Sequence, residues 1–268
     1  MQNKLSQIFN IKEFLDQIKY PDSKRIAIEI VEYLEENSTD KESVLRRLQD
    51  GEPWEYIRGY AQFCNSKFLV TEDTLIPRIE TEQLVYNSIE LIKRYNIENI
   101  VDIGTGSGCI AISLKKLLNR ESIFPNIFAT EISSNALKIA KENEKLLTNE
   151  SIEWIKTDLI EDLPILKGTT LLIANLPYIP TSVYKKLDKS VLDFEPKLAL
   201  DGGSSGLEIY ERLLEQIKKK CIKDFILYIE TEETIVEETL TLFKKYLPDL
   251  KYTVETDCFN KERFILSI

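Results

Sequence analysis

The chain contains no histidine and only four cysteines among its 268 residues. The lack of histidine excludes a Ser-His-Asp or Cys-His catalytic group and any His-ligated metal. Cys64, Cys109, Cys221 and Cys258 form no C-x-x-C pair, so the sequence predicts neither a zinc site nor a redox-active pair. We therefore expect free thiols in a reducing compartment, and no bound metal.

Long apolar runs and an excess of positive charge are also absent. No apolar stretch approaches the roughly 18 residues that a transmembrane helix needs, and the polar start of the chain does not resemble a signal peptide. The 35 Lys and Arg residues are outnumbered by 45 Asp and Glu, which gives a net charge of −10. Nucleic-acid binding needs many cationic phosphate contacts, so this charge disfavours it. We expect a cytoplasmic monomer without membrane or direct nucleic-acid partners.

Hydrophobic periodicity divides the chain into two parts. Apolar residues at helical spacing indicate a small helical bundle up to about residue 58, and residues 63–70 alternate as a hairpin would around Asn65 and Ser66. We place the boundary near Asp73. Residues 1–72 then form an N-terminal helical domain with a hairpin linker, and residues 73–268 form a second, larger domain.

The second domain alternates strands and helices. Helices are predicted at 80–95, 110–118, 135–147, 207–220 and 232–246, and strands at 99–103, 127–131, 152–156, 171–174, 225–230, 252–255 and 263–268. Repeated strand-helix-strand units predict an α/β fold with a mostly parallel sheet covered by helices on both faces. The last two strands have no helix between them, which predicts one antiparallel strand.

A glycine-rich segment follows the first of these strands. Gly104, Gly106 and Gly108 allow positive φ and a close approach of the backbone to a ligand, and the next helix offers free N–H groups. The segment also fits the G-x-G-x-x-A fingerprint of dinucleotide sites, and a turn without a ligand is the simpler alternative. Asp102 favours a nucleoside that carries an amino acid, because a carboxylate can hold an ammonium group but repels a pyrophosphate. S-adenosylmethionine therefore fits better than NAD.

Two further acidic residues end the next strands. Glu131 can accept hydrogen bonds from both hydroxyls of a ribose, and Asp158 can reach an adenine edge. Asn175-Leu176-Pro177-Tyr178 then follows the fourth strand. Its rigid carbonyls and the Asn175 side chain can accept hydrogen bonds from a substrate –NH₂ group, and Tyr178 can pack on a flat π system. A strand-ending turn plugged by an aromatic ring is the structural alternative.

The two motifs together resemble the class I, Rossmann-like methyltransferases that act on planar nitrogen. Three further segments are similar to motifs of the HemK-type release-factor glutamine methyltransferases: GEPWEYIRGY at 51–60, TLIPRIETE at 74–82 and FEPKLAL at 194–200. The resemblance covers essentially the whole chain. One departure is Leu176, where the family usually has proline; Asn-Leu-Pro-Tyr also occurs in ribosomal RNA adenine dimethyltransferases.

The resemblance implies methylation of the glutamine in the Gly-Gly-Gln motif of bacterial class I release factors, with S-adenosylmethionine as cofactor. It implies a catalytic set of Asn175, Pro177 and Tyr178, a substrate set that adds Leu176, and a cofactor set of Asp102, Gly104, Thr105, Gly106, Ser107, Gly108, Glu131, Asp158, Leu159 and Asn175. Arg78 and Glu195 lie in the family motifs; each is interpreted as part of a structural ion pair, and a role in shaping the pocket is the alternative. The N-terminal domain would dock the protein substrate, or would only stabilise the core.

Other functions stay open at this point. A ribosomal RNA adenine methyltransferase would share the Asn175 motif, but its surface should be basic and its glycine loop should lie near the N-terminus. A glutamine methyltransferase of a ribosomal protein would use the same site. A non-catalytic scaffold would bind the cofactor without turnover, and Asp102 argues against an NAD-dependent dehydrogenase.

Overall fold

The computed structural model describes residues 2–268. The chain divides into two compact units, Met1–Gly59 and Tyr60–Ile268. Within the described residues, no helix is long and apolar enough to cross a membrane.

The smaller unit is a bundle of four helices: α1 (Gln2–Gln17), α2 (Ser23–Glu36), α3 (Lys41–Gln49) and α4 (Trp54–Arg58). Its core gathers apolar side chains from all four helices, and Trp54 is the largest of them. The indole N–H of Trp54 donates a hydrogen bond to Glu29 at 2.9 Å, so the ring is buried with its polar atom satisfied. Asp40 caps α3 by accepting from the Ser43 N–H, as expected for a break at this position.

The larger unit begins with a hairpin, β1 (Tyr60–Phe63) and β2 (Ser66–Leu69). Its turn lies at Cys64 and Asn65, one residue earlier than the sequence pattern predicts, because both residues adopt positive φ. The buried Asn143 side chain accepts from the Leu69 N–H and donates to the Leu69 carbonyl. The hairpin therefore belongs to the larger unit, whereas the predicted boundary at 72/73 places it with the helices.

A seven-stranded sheet forms the centre of the larger unit. Its order is β5-β4-β3-β6-β7-β9-β8, and β9 is antiparallel to both of its neighbours. The strands are β3 (Asn99–Ile103), β4 (Asn126–Glu131), β5 (Glu153–Lys156), β6 (Thr170–Ala174), β7 (Phe225–Glu230), β8 (Tyr252–Thr256) and β9 (Glu262–Ser267). The predicted α/β sheet with one antiparallel strand is confirmed.

Helices cover both faces of this sheet. One apolar cluster lies under α5 (Ile79–Tyr95) and α6 (Cys109–Arg120), and the other lies under α10 (Glu208–Lys220) and α11 (Val236–Tyr246); α7 is Ser134–Leu147. Strands β3 and β6 are buried on both faces, as expected for central parallel strands.

The sequence pattern predicts none of the three short helical segments that lie between β6 and α10. They are α8 (Thr181–Tyr184), α9 (Lys189–Phe194) and a 3₁₀ turn (Lys197–Ala199). They are too short to show a clear period of 3.6 residues, and none of the α9 residues is fully buried. These segments form one wall of the site described next.

Candidate active site

A cleft of about 350 Å³ lies at the carboxyl edge of the sheet. Its walls come from the residues that directly follow β3, β4, β5 and β6, together with the start of α5 and the 3₁₀ turn. Parallel strands bring their carboxyl ends to one edge, which is where α/β folds bind ligands. The predicted site residues on its wall are Gly104, Thr105, Gly106, Ser107, Glu131, Asp158, Leu159, Asn175, Leu176 and Pro177.

The glycine loop has the backbone conformation that its sequence predicts. Gly104, Gly106 and Gly108 have φ of 70°, 57° and 81°. A Cβ on Gly104 would lie 2.8 Å from the side chain of Leu176, and one on Gly108 would lie 3.0 Å from that of Ile112. The loop therefore needs glycine both for its backbone angles and for space.

Asp102 lies behind the loop and not on the cleft wall. Its side chain is fully buried, and Oδ2 accepts hydrogen bonds from the Thr105 hydroxyl at 2.5 Å and the Ala111 N–H at 3.1 Å. Oδ1 has no hydrogen-bond partner among residues 2–268. Burial raises the pKa of Asp102 to about 7, because a low dielectric disfavours the carboxylate. A nearby cation or donor would satisfy this oxygen and restore its charge.

Glu131 links the glycine loop to the start of α7. Its Oε2 accepts from the Gly106 N–H at 2.9 Å and its Oε1 accepts from the Ser133 N–H at 2.8 Å. Burial raises its pKa, and these backbone donors oppose that shift. The carboxylate is thus fixed at the end of β4 on the cleft wall, and each oxygen keeps lone-pair capacity for a hydroxyl.

Asp158 and Leu159 follow β5 on the same wall. The Asp158 carboxylate pairs with the guanidinium of Arg212 on α10, which also lines the cleft. Leu159 has a φ of 53° and is buried. Arg212 was missed by sequence reasoning, because 54 residues separate it from Asp158 and nothing local indicates the pairing.

Asn175 stands at the end of β6 with its amide group held from behind. Its Nδ2 donates to the Thr81 hydroxyl at 3.1 Å, and that hydroxyl donates to the carboxylate of Glu230 at 2.7 Å. Thr81 and Glu230 are both buried. Burial raises the pKa of Glu230 to about 7, and the Thr81 hydrogen bond and Arg263 oppose this shift.

The rest of the Asn-Leu-Pro-Tyr segment divides between two cavities. Leu176 is buried, and Tyr178 lines an adjoining cavity of about 170 Å³ in place of the main cleft. Both cavities share Asn175 and Leu176. Burial raises the pKa of the Tyr178 hydroxyl well above its ordinary value, so this phenol stays neutral.

The sequence predicts a structural ion pair for each of Arg78 and Glu195, and the structure pairs them with each other. The guanidinium lies 2.5 Å from Oε1 of Glu195, and Oε2 of the same carboxylate accepts from the Ile76 N–H at 3.3 Å. Glu195 is buried at the end of α9. The pair ties the segment before α5 to the unpredicted wall of short helices, on the rim of the cleft.

Comparisons with known proteins agree with this fold. The family model described as ribosomal protein L11 methyltransferase (PrmA) matches residues 80–181. The hMettl16 catalytic domain, solved with MAT2A 3′UTR hairpin 6, superposes with a TM-score of 0.59 at 16% identity over 75% of this chain and 74% of that chain. A human methyltransferase 10 domain containing protein gives 0.51 at 19% identity, over 75% and 87%. The fold is that of the class I methyltransferases.

Closer relatives make the family specific. A release factor glutamine methyltransferase from Flavobacterium psychrophilum is 33% identical over 264 residues, which cover 97% of this chain and 87% of that protein. One from Lactococcus lactis subsp. lactis is 34% identical over 240 residues, covering 87% and 85%. The chain belongs to the release factor glutamine methyltransferase family. The predicted family and enzyme class are confirmed.

Proposed function

We propose that this chain transfers a methyl group from S-adenosylmethionine to the side-chain amide nitrogen of the glutamine in the Gly-Gly-Gln motif of bacterial class I release factors. The observation that carries the proposal is the position of the Asn175 carboxamide in the same cleft as the glycine loop and Glu131. The names of the relatives point to the same substrate. Such an enzyme supports translation termination and works in the cytoplasm.

The residues of one half of the cleft fit S-adenosylmethionine. The glycine loop offers backbone at close range, and behind it the buried, unpartnered Oδ1 of Asp102 suits a cofactor that carries an ammonium group. Glu131 would hold the ribose, and Asp158 with Leu159 would border the adenine. When bound, this cofactor supplies an electrophilic methyl group on a positively charged sulfur.

The other half of the cleft would orient the glutamine. An amide nitrogen is a weak nucleophile because its lone pair is delocalised, so the enzyme must fix where its π face points. Oδ1 of Asn175 and one backbone carbonyl would each accept a hydrogen bond from the substrate –NH₂ group. The Pro177 oxygen lies only 2.8 Å from where a Cβ on Gly202 would stand, so it packs against that loop. We therefore assign the second acceptor to the Leu176 carbonyl.

In this scheme, positioning of the two reactants provides most of the rate acceleration. Holding two reactants in a reactive geometry can lower a barrier by roughly 7–11 kcal/mol. The methylated nitrogen can lose its proton to water after transfer, so the absence of histidine is no obstacle. Pro177 stiffens the segment, and the neutral Tyr178 packs beside it; both shape the site without moving a proton.

The helical unit would bind the protein substrate outside the cleft. On α1, Leu5 and Phe9 are one helical turn apart and are 68% and 58% exposed. Replacing both by aspartate should raise the KM for an intact release factor and leave the KM for a short Gly-Gly-Gln peptide unchanged. Equal increases for both substrates would contradict a docking role.

The direct test is mass spectrometry of a purified release factor incubated with this protein and S-adenosylmethionine. We expect a mass gain of one methyl group on the tripeptide glutamine, and no gain with Asn175→Ala. If the factor stays unmodified while the cofactor still binds, the proposal is overturned, and ribosomal proteins and ribosomal RNA become the next substrates to assay.

A further inference from the structure

A buried chain of three polar side chains leads from the sheet to the cleft. It begins at the carboxylate of Glu230 at the end of β7, passes through the hydroxyl of Thr81 near the start of α5, and ends at the carboxamide of Asn175. Glu230 is 1% exposed and Thr81 is 2% exposed. Water therefore cannot replace either partner without opening the packing between α5 and β7.

When Glu230 is ionised, the two hydrogen bonds of this series can have only one direction of donation. A carboxylate only accepts hydrogen bonds, so the single proton of the Thr81 hydroxyl is given to Glu230 at 2.7 Å. The Thr81 oxygen is then left with lone pairs, and it accepts from Nδ2 of Asn175 at 3.1 Å. This arrangement leaves Oδ1 as the side-chain acceptor that Asn175 offers elsewhere.

The anchor of the chain is itself rigid. Glu230 lies on an internal strand, paired with Phe264 of β9, and its backbone carbonyl accepts from the Tyr210 hydroxyl at 2.5 Å. Arg263 and Arg78 favour its charge, whereas Glu80 opposes it. Fixed anchors of this kind hold a reactive group within the narrow range of geometry that catalysis needs.

We propose that Thr81 and Glu230 are positioning residues that fix the orientation of the Asn175 carboxamide, so that it presents an acceptor to the substrate amide. This inference rests on the proposed function. In the reverse orientation, the –NH₂ group of Asn175 would face the –NH₂ group of the substrate glutamine. That orientation would suit a substrate carboxylate better. The pair thereby favours glutamine over glutamate in the substrate.

The alternative is that Thr81 only ties α5 to β7, and matched variants separate the two roles. Thr81→Val removes the hydroxyl at nearly constant volume, and Thr81→Ser keeps it. Thr239→Val is the control, because Thr239 is equally buried and donates to the Ile235 carbonyl at 2.7 Å, but lies on α11 and not on the cleft wall. All three are assayed at about pH 8.5, above the pKa of Glu230.

The expected kinetic result is a selective loss. Thr81→Val should lower kcat on the release factor roughly tenfold or more, because small misplacements of a positioning group are costly. Cofactor affinity should stay unchanged, and Thr81→Ser should recover most of the rate. In addition, a release factor with glutamate in place of the tripeptide glutamine should inhibit Thr81→Val more strongly than it inhibits the wild type. Equal kcat values for Thr81→Val and Thr239→Val, with unchanged inhibition, would overturn the inference.

A second measurement does not depend on activity. In ¹⁵N-asparagine-labelled protein, the Asn175 side-chain amide, assigned by its disappearance in Asn175→Ser, should exchange its Nδ2 protons slowly in the wild type and in Thr81→Ser, and fast in Thr81→Val. Equal exchange rates in all three would overturn the inference. A wild type that shows slow exchange but no methylation would overturn only the proposed function.

Discussion

The two halves of the cleft are built in different ways. In the proposed cofactor half, most hydrogen bonds come from near neighbours in the chain: Asp102 accepts from residues 3 and 9 positions later, and Glu131 accepts from a residue 2 positions later and from the glycine loop. The exception is Asp158, which pairs with Arg212, 54 positions later. In the substrate half, Asn175 depends on Thr81, 94 positions earlier, and through it on Glu230, 149 positions beyond Thr81. The residues around the glycine loop are therefore fixed mainly by local contacts, whereas the Asn175 carboxamide is fixed only when α5, β6 and β7 are assembled together.

The largest expected effect is the loss of turnover in Asn175→Ala, and it should affect only the substrate half of the cleft. Asn175→Ala removes an acceptor from the substrate half and nothing from the cofactor loop. We expect kcat to fall by about 10²- to 10³-fold, the usual cost of removing one positioned hydrogen-bonding group at a reacting centre. Cofactor affinity, measured by calorimetry, should stay within a factor of about two of the wild type, because this loss leaves the cofactor loop intact. Asn126→Ala, at the other end of the strands, is the control. An equal loss of affinity and turnover would contradict the division.

A second prediction uses the buried carboxylate that each half contains. Burial raises the pKa of Asp102 and of Glu230 to about 7, from ordinary values of 3.8 and 4.5. The folded chain thus keeps protons that the unfolded chain has already lost. The stability these two groups contribute is complete below about pH 4 and is lost as the pH rises through about 7.

Substitution should remove this pH dependence one group at a time. As the pH rises from about 4.5 to 8, the unfolding free energy of Glu230→Gln should increase relative to that of the wild type by on the order of 3 kcal/mol. Denaturant unfolding at each pH measures this difference. Asp102→Asn should show a similar trend. Saturating S-adenosylmethionine should reduce only the Asp102 contribution, since a cation favours its carboxylate. Variant and wild-type curves that stay parallel over this range would exclude both shifts.

A smaller effect is expected at Glu131, where the loss should fall on the cofactor half alone. Glu131→Gln places an –NH₂ group against either the Gly106 or the Ser133 N–H, so one buried donor loses its acceptor. We expect the cofactor Kd to rise about tenfold and kcat at saturation to change little. Glu153→Gln, an exposed carboxylate on β5, is the matched control. A fall in kcat at constant Kd would contradict this role and would indicate that Glu131 acts on the substrate.

The smallest effect lies where the halves touch, at Gly104 and Leu176. Gly104→Ala adds a Cβ 2.8 Å from the Leu176 side chain and forces alanine to a φ of 70°. Because the clashing atom is the end of a flexible side chain, backbone strain of about 1–2 kcal/mol should dominate. In a double-mutant cycle, Gly104→Ala should therefore cost nearly the same unfolding free energy in a Leu176→Ala background as in the wild type. A cost that disappears in that background would show that the side-chain contact is the larger part.

The same contrast explains what the sequence could predict. The strand ends, the glycine loop and Glu131 are local features, and the periodicity of the strands places them at one edge of the sheet. Thr81 lies inside a recognised motif, but its partners belong to β6 and β7, and no spacing rule pairs them. Arg212 on α10 is hidden for the same reason. The short helices α8 and α9 carry too few apolar residues to show a period, so the wall they form could not be predicted.

The position of β9 has a consequence for how the enzyme is made. This strand, Glu262–Ser267, is inserted between β7 and β8, and it covers the edge of the strand that carries Glu230. While the chain is still on the ribosome, β7 has an open edge until those residues emerge. Nascent chains should therefore complete their glycine loop early, and the proposed orientation of Asn175 should follow only after Glu262–Ser267 has been made.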